Sequence, residues 1–288
     1  MPGFSSVANL VDCDTNGTTL ISSWKKVPSQ ITASGFWFDL SMSPGNPPPQ
    51  YYAASPLIAV ALAQSTNGGL FHGAAKSPSK MFLRRMMAMT VTATVVPCPM
   101  ILLDYLMYYP FIDESSTDQQ NLTTNIPLPR YPTGAGVQMM AVAVAGQIGG
   151  VTFSVNYTNS AGVSNRTSGT VTLNTQASTG TIVTTAPATA GCVGPFIPLQ
   201  TGDAGVQSVQ SVTMNNADQG LFTLVLVKPL AQFSIRGIDA PVELDYFLNC
   251  GGGVPVIQDD AYLMFICSPG GTLAAAPIYG VAEYAWHS

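Results

Sequence analysis

The clearest pattern in the chain is VTFSVNYT, where Val151, Phe153, Val155 and Tyr157 fall on one face of an extended segment and Thr152, Ser154, Asn156 and Thr158 on the other. A period of two marks a strand with one face buried. The turn NSAG and Arg166 lead on to GTVTLNT, which predicts a hairpin partner with Val171 and Leu173 inward. Two longer apolar runs, ILLDYLMYY at 101–109 and VQMMAVAVA at 137–145, predict buried strands, the second ended by Gly146, Gly149 and Gly150. Further strands are expected at 180–185, 206–214, 220–227, 233–235, 261–267 and 279–286. Turn signals at this spacing suit a sandwich or a jelly roll.

The first hundred residues read differently. Residues 1–50 are expected to form an extended arm with short strands, ending in SPGNPPPQ, whose Pro47 to Pro49 favour polyproline II and cannot donate to a strand ladder. SPLIAVALAQ at 55–64 suits either a short helix or a buried strand. Ser77-Pro78-Ser79 offers a cap for KMFLRRMMAM, a run of good helix formers that is the best helix candidate. The expected fold is therefore mainly β: an antiparallel β-sandwich or jelly-roll-like body with one or two short helices and an extended N-terminal arm. Residues 1–50 would be the arm and 51–288 the body, either as one unit or as two packed β subdomains meeting near residue 130.

Charge changes the picture. Asp, Glu, Lys and Arg make up 9 % of the chain, against about 25 % in an ordinary soluble domain. Between Arg130 and Lys228 the 97 residues hold only Arg166, Asp203 and Asp218, so Thr, Ser, Asn and Gln must keep that surface wet. The net charge is −5, and Lys25-Lys26 and Arg84-Arg85 are the only adjacent basic pairs. Without a basic stripe to displace counterions from phosphates, direct nucleic-acid binding is not expected. Met86 to Leu103 is uncharged over 18 residues, but Pro97, Pro99 and its Thr alternation argue against a membrane span. MPGFSSVANLVD has no basic region followed by an apolar stretch, so folding in a cytosol is expected. Cys13, Cys98, Cys192, Cys250 and Cys267 are then expected as reduced, mostly buried thiols.

Motifs that would carry chemistry are incomplete. Asp12-Cys13-Asp14-Thr15-Asn16-Gly17 matches the first half of a calcium loop, but the twelfth position is Ser23 instead of a bidentate Glu, which favours a polar turn. Gly202-Asp203-Ala204-Gly205 has the outline of a serine-protease nucleophile segment with Ala204 where the attacking oxygen belongs. A tight turn is the expectation there. His72 and His287 have no neighbouring carboxylate in sequence, and Asp113-Glu114 and Asp259-Asp260 are adjacent pairs that a strand would point to opposite faces. The four N-x-S/T sequons, at Asn16, Asn121, Asn156 and Asn165, follow from Asn- and Thr-rich turns. No catalytic, cofactor-binding or metal-ligating residue is assigned, no cofactor is expected, and the chain reads as a non-enzyme.

A set of phrases carries a resemblance. They are Gly3-Phe4-Ser5-Ser6-Val7, Leu102 to Pro110 (LLDYLMYYP), Leu128 to Gly134 (LPRYPTG), Tyr157-Thr158-Asn159 with Ala161-Gly162, Gly194 to Thr213 (GPFIPLQTGDAGVQSVQSVT) and Leu226 to Leu230 (LVKPL). Together, and in this order over most of the chain, they resemble a family of virion structural proteins of tailed bacteriophages. The resemblance implies a decoration or cement protein on the capsid shell. It would form a homo-oligomer, with a trimer expected, and its partner would be the phage major capsid protein. It would be made in the host bacterial cytoplasm, located in the virion, and bind neither nucleic acid nor membrane directly. The alternatives are a tail, neck or baseplate component, a receptor- or glycan-binding module using Tyr51-Tyr52 and Tyr108-Tyr109, and a hydrolase relying on His72.

Overall fold

Strands with no polar face must be covered on both sides, and that requirement organises this molecule. The computed structural model describes residues 4–238, 240–249 and 253–287. Its central sheet runs in the order Phe38–Asp39, Tyr262–Cys267, Cys98–Asp113, Leu221–Ile235, Gln138–Ala145, with Val60–Ala61 paired to Cys98–Asp113. All of these pairings are antiparallel. Along the central strands successive residues enter opposite cores: Met140, Val142, Val225 and Val227 go to one, and Met139, Ala141, Leu224 and Leu226 to the other. The uninterrupted apolar runs follow from this double burial.

Each core is closed by an outer sheet. One has the order Val242–Asp245, Lys80–Thr90, Ile278–His287, Thr19–Lys26, Gly45–Asn46, with Val256–Ile257 beside Lys80–Thr90. The other has the order Arg166–Thr167, Thr152–Asn159, Val206–Met214, Gln120–Asn121, with Val171–Thr172 beside Thr152–Asn159. In the second outer sheet Phe153, Val155 and Tyr157 are fully buried, with half-buried residues between them, as the alternation predicts. The result is an antiparallel sandwich of three sheets, with the central sheet shared by both cores. The cores are divided by the faces of that sheet, so each draws on residues from both sides of position 130.

Four local expectations need correction. KMFLRRMMAM is not a helix but lies in the Lys80–Thr90 strand. Met81 and Leu83 are buried, the pattern slips by one, and Met86, Ala88 and Thr90 are buried. The slip is a β-bulge: Arg85 pairs with Glu283 and Leu83 with Tyr284, leaving Arg84 as the extra residue. Within the segment expected as an arm, Val7–Asn16 is a helix with a Ser6 capping box, and Thr19–Lys26 is an inner strand between Ile278–His287 and Gly45–Asn46. Burial of Trp24 and Lys26 on its inward side draws it into the body. The segment 180–185 makes only isolated bridges, at Thr181 and Ile182. The strands expected at 220–227 and 233–235 are one, Leu221–Ile235, because a register shift after Pro229 absorbs the residue that cannot donate.

Lys26 is fully buried, and its ammonium donates to the carbonyls of Ser43 (3.0 Å) and Pro47 (2.7 Å). Burial pulls its pKa down to about 8, against the opposing pull of Asp39. In the unfolded chain it titrates near 10.4, so between about pH 8 and 10 the unfolded state holds more protons and the Lys26 contribution to stability rises with pH. Lys26→Met removes this dependence. Urea unfolding of both proteins at pH 7.5, 8.5 and 9.5 should show wild type gaining on the variant as pH rises; a constant gap would refute the assignment.

Candidate functional site

Two outward faces stand out. On the first outer sheet, register places Met89 beside Tyr279 and Met87 beside Val281, with Lys25 and Ser23 in the next strand. Together with Val91 and Pro277 these residues line an open groove of about 590 Å³. Charge lies along its edge. Arg85 bonds Glu283 (2.8 Å) and Glu243 (3.0 Å), while Arg84 bonds Glu283 (2.9 Å) and Asp14. The bulge makes this possible by turning two consecutive arginines toward one carboxylate. A Met- and Tyr-bearing centre with a charged rim is the anatomy of a protein interface.

The second outer face is polar and neutral. Gln119, Ser154, Asn156, Asn165, Thr167, Gln210, Ser211 and Thr213 line a groove of about 350 Å³ there. None of them is charged. The few charges of the segment are consumed internally. Asp203 accepts from Arg166 (3.0 Å), Tyr157 (2.5 Å) and Asn159 (2.7 Å), and these bonds, Arg166 first and Tyr157 next, hold it down to about 2. Asp218 is buried and accepts the Gly149 N–H at 2.7 Å. Arg130 is buried against Asp104.

Two buried braces hold the sheets behind these faces. Arg130 reaches Asp104 through Nε and Nη2 (2.9 and 2.7 Å) and donates to the carbonyls of Leu62, Tyr105 and Asp260. Burial nevertheless pushes Asp104 up, to about 6. Asp39 is likewise fully enclosed and accepts from Tyr52, from Tyr105 (2.7 Å), and from the Ser41 amide and hydroxyl (2.8 Å each). Its pKa is raised by burial, against the pull of these donors.

The residues considered for chemistry are scattered. Asp12 to Asn16 lie in the last turns of the Val7–Asn16 helix, where the oxygens of a calcium loop do not form, and Gly17 ends the helix in the left-handed region. Asp14 faces Arg84 instead. Ala204 lies in the turn held by Asp203. His72 is buried, with Nε2 at 2.9 Å from the Ala261 carbonyl, and burial lowers its pKa; His287 meets Asn9. Asp259 and Asp260 accept the amides of Lys76 and Ser65. Tyr52, Tyr108 and Tyr109 are buried and cannot stack on a sugar; only Tyr51 of that set is exposed. Cys13, Cys98 and Cys267 are buried free thiols and Cys192 is half-buried, while Cys250 lies outside the described residues. Among the described residues no helix is long and apolar enough to cross a membrane.

No protein-family model matches the chain, and no curated protein does. Among solved structures it is similar to the VP2 subviral particle of infectious bursal disease virus, with 10% identity, 93% of this chain and 80% of that chain covered, and a TM-score of 0.16. A second is the Gt strain of the same virus, with 9% identity, 94% and 81% covered, and a TM-score of 0.18. These likenesses are too distant to transfer a role.

Proposed function

We propose that this chain is a non-enzymatic structural protein of a tailed-phage particle, a decoration or cement subunit that binds the major capsid lattice as a homo-oligomer. The observation that carries the reading is the charge-free outer face over Thr152–Asn159 and Val206–Met214. Identical copies packed side by side on a lattice meet no like-charge repulsion through such a face. Each weak contact is multiplied by the repeat of the lattice. The phrases that resemble tailed-phage virion proteins include the Arg130–Asp104 brace, with Asp104 and Arg130 in two of them, and Asp203 stands in a third. The Met87–Met89–Tyr279–Val281 groove supplies a second contact, either to the shell or to a neighbouring copy.

Quantitative mass spectrometry of purified particles tests the position. Hundreds of copies per head fit a cement subunit, whereas six or twelve would move the chain to a tail, neck or baseplate and overturn the reading. Met87→Asp with Val281→Asp tests the groove. Both side chains face outward, so the melting temperature should stay within a few degrees of wild type. Re-binding to stripped particles should fall by tenfold or more, since central apolar anchors dominate interface energy.

A further inference from the structure

Glu114 is the least explained side chain in the fold. It follows the Cys98–Asp113 strand, is fully buried, and neither carboxylate oxygen receives a hydrogen bond. Its main chain is clamped to the segment ahead of Leu221: the Glu114 amide donates to the Gly220 carbonyl (3.2 Å), and its carbonyl accepts the Asp218 amide (2.8 Å). The charged groups that act on the carboxyl are Asp218 and Asp113, both acidic.

The surroundings are rich in acceptors. Gly220 has φ +127, and a Cβ built there would lie 3.0 Å from Glu114 Oε2, 2.6 Å from the Gly146 carbonyl oxygen and 3.1 Å from Gln147 Cα. The carboxylate and the Gly146 carbonyl therefore border one corner, beside Gln147. The Gln147 amide nitrogen is committed to Asn174, at 2.8 Å to its carbonyl and 2.7 Å to its side-chain oxygen, and its Oε1 is buried without a donor. Asp218 is fixed beside this turn by the Gly149 N–H. The Glu114 carboxylate and the Gly146 carbonyl thus meet at one corner, and both carboxylate oxygens lack a donor. Buried acceptors in such a state are rare in native proteins and costly. A proton on Glu114 would supply one donor for several acceptors. A hard cation coordinates carboxylate, amide and carbonyl oxygens together.

We propose that this corner is a calcium-class divalent cation site, with Glu114 as the central ligand, the Gly146 carbonyl beside it, and Asp218 as the second negative charge. The ion would tie the end of the Cys98–Asp113 strand to the start of Leu221–Ile235, the two longest strands of the central sheet.

The test uses the full chain stripped with chelator and titrated with calcium chloride by calorimetry, together with thermal melts in calcium, magnesium, sodium or EDTA. One calcium per chain should bind saturably, and the melting temperature should rise with calcium concentration as linkage requires. Glu114→Gln and the milder Asp218→Asn should each weaken binding by tenfold or more. A wild-type protein that melts cooperatively at the same temperature in EDTA and in millimolar calcium, with no binding heat, overturns the proposal and leaves Glu114 protonated. Stabilisation by sodium or magnesium but not by calcium overturns it too. Because wild type alone decides the point, failure of a variant to fold does not blunt the test.

Discussion

Arg130→Met should cost about 3–5 kcal/mol of stability, the range for breaking a buried ion pair by removing one partner. The guanidinium is the donor for Asp104 and for three main-chain carbonyls drawn from segments far apart in the chain. Without it Asp104 stands fully buried beside no cation. The deficit should also depend on pH. With Arg130 gone, the folded pKa of Asp104 lies further above its unfolded value near 3.9, so the stability it contributes is full below that value and is lost as pH rises through the folded pKa. The variant should therefore lag wild type less at pH 5 than at pH 8. Replacing both members, Arg130→Met with Asp104→Leu, should recover much of the loss, because an apolar pair of similar volume needs no desolvation. Urea midpoints of the three proteins at both pH values decide this. A single variant within 1 kcal/mol of wild type would mean that water reaches the site.

Asp39→Ala should be comparably damaging, by about 4 kcal/mol, since each buried donor left without an acceptor costs about 1–3 kcal/mol. Tyr105 and the Ser41 amide lose their acceptor, the Tyr52 and Ser41 hydroxyls keep only each other at 2.9 Å, and Lys26 loses the carboxylate that acts on it. Converting Tyr52 and Tyr105 to Phe in the Asp39→Ala background removes the stranded Tyr105 hydroxyl and a Tyr52 hydroxyl left with Ser41 alone. That triple variant should be more stable than Asp39→Ala alone, although the same Phe changes should destabilise wild type. The sign reversal is the diagnostic result in a mutant cycle; additive losses would show that the hydroxyls find other partners.

What could be read in the sequence followed from how many faces each strand buries. VTFSVNYT has one buried face, and its alternation located the Thr152–Asn159 strand. VQMMAVAVA has two, and its lack of alternation gave burial but not the existence of two cores. Tyr108 and Tyr109 show the limit. Adjacent residues on a one-faced strand would leave one ring outside, but in the central sheet both are covered. KMFLRRMMAM misled because one extra residue at the bulge breaks the period of two, leaving Met, Leu, Lys and Arg to suggest a helix through propensity alone. The braces had no spacing signal: Asp39, Tyr52 and Tyr105 meet only once the central sheet is assembled. A usable hint was the scarcity of charge itself, because in a segment with three charges each invites the question of what it pairs with. Asp203 and Arg166 answer that for each other.

The pairing of Thr19–Lys26 with Ile278–His287 bears on how the chain is made. The strand that completes this part of the first outer sheet leaves the ribosome about 250 residues after its partner. Lys80–Thr90 waits for the same strand, and Cys98–Asp113 waits more than a hundred residues for Leu221–Ile235. Such long-range closure slows folding, and until it is complete the nascent chain carries unpaired, apolar strand edges open to association with other copies. A chain built this way places its main risk of aggregation in the interval of synthesis, before a finished molecule exists.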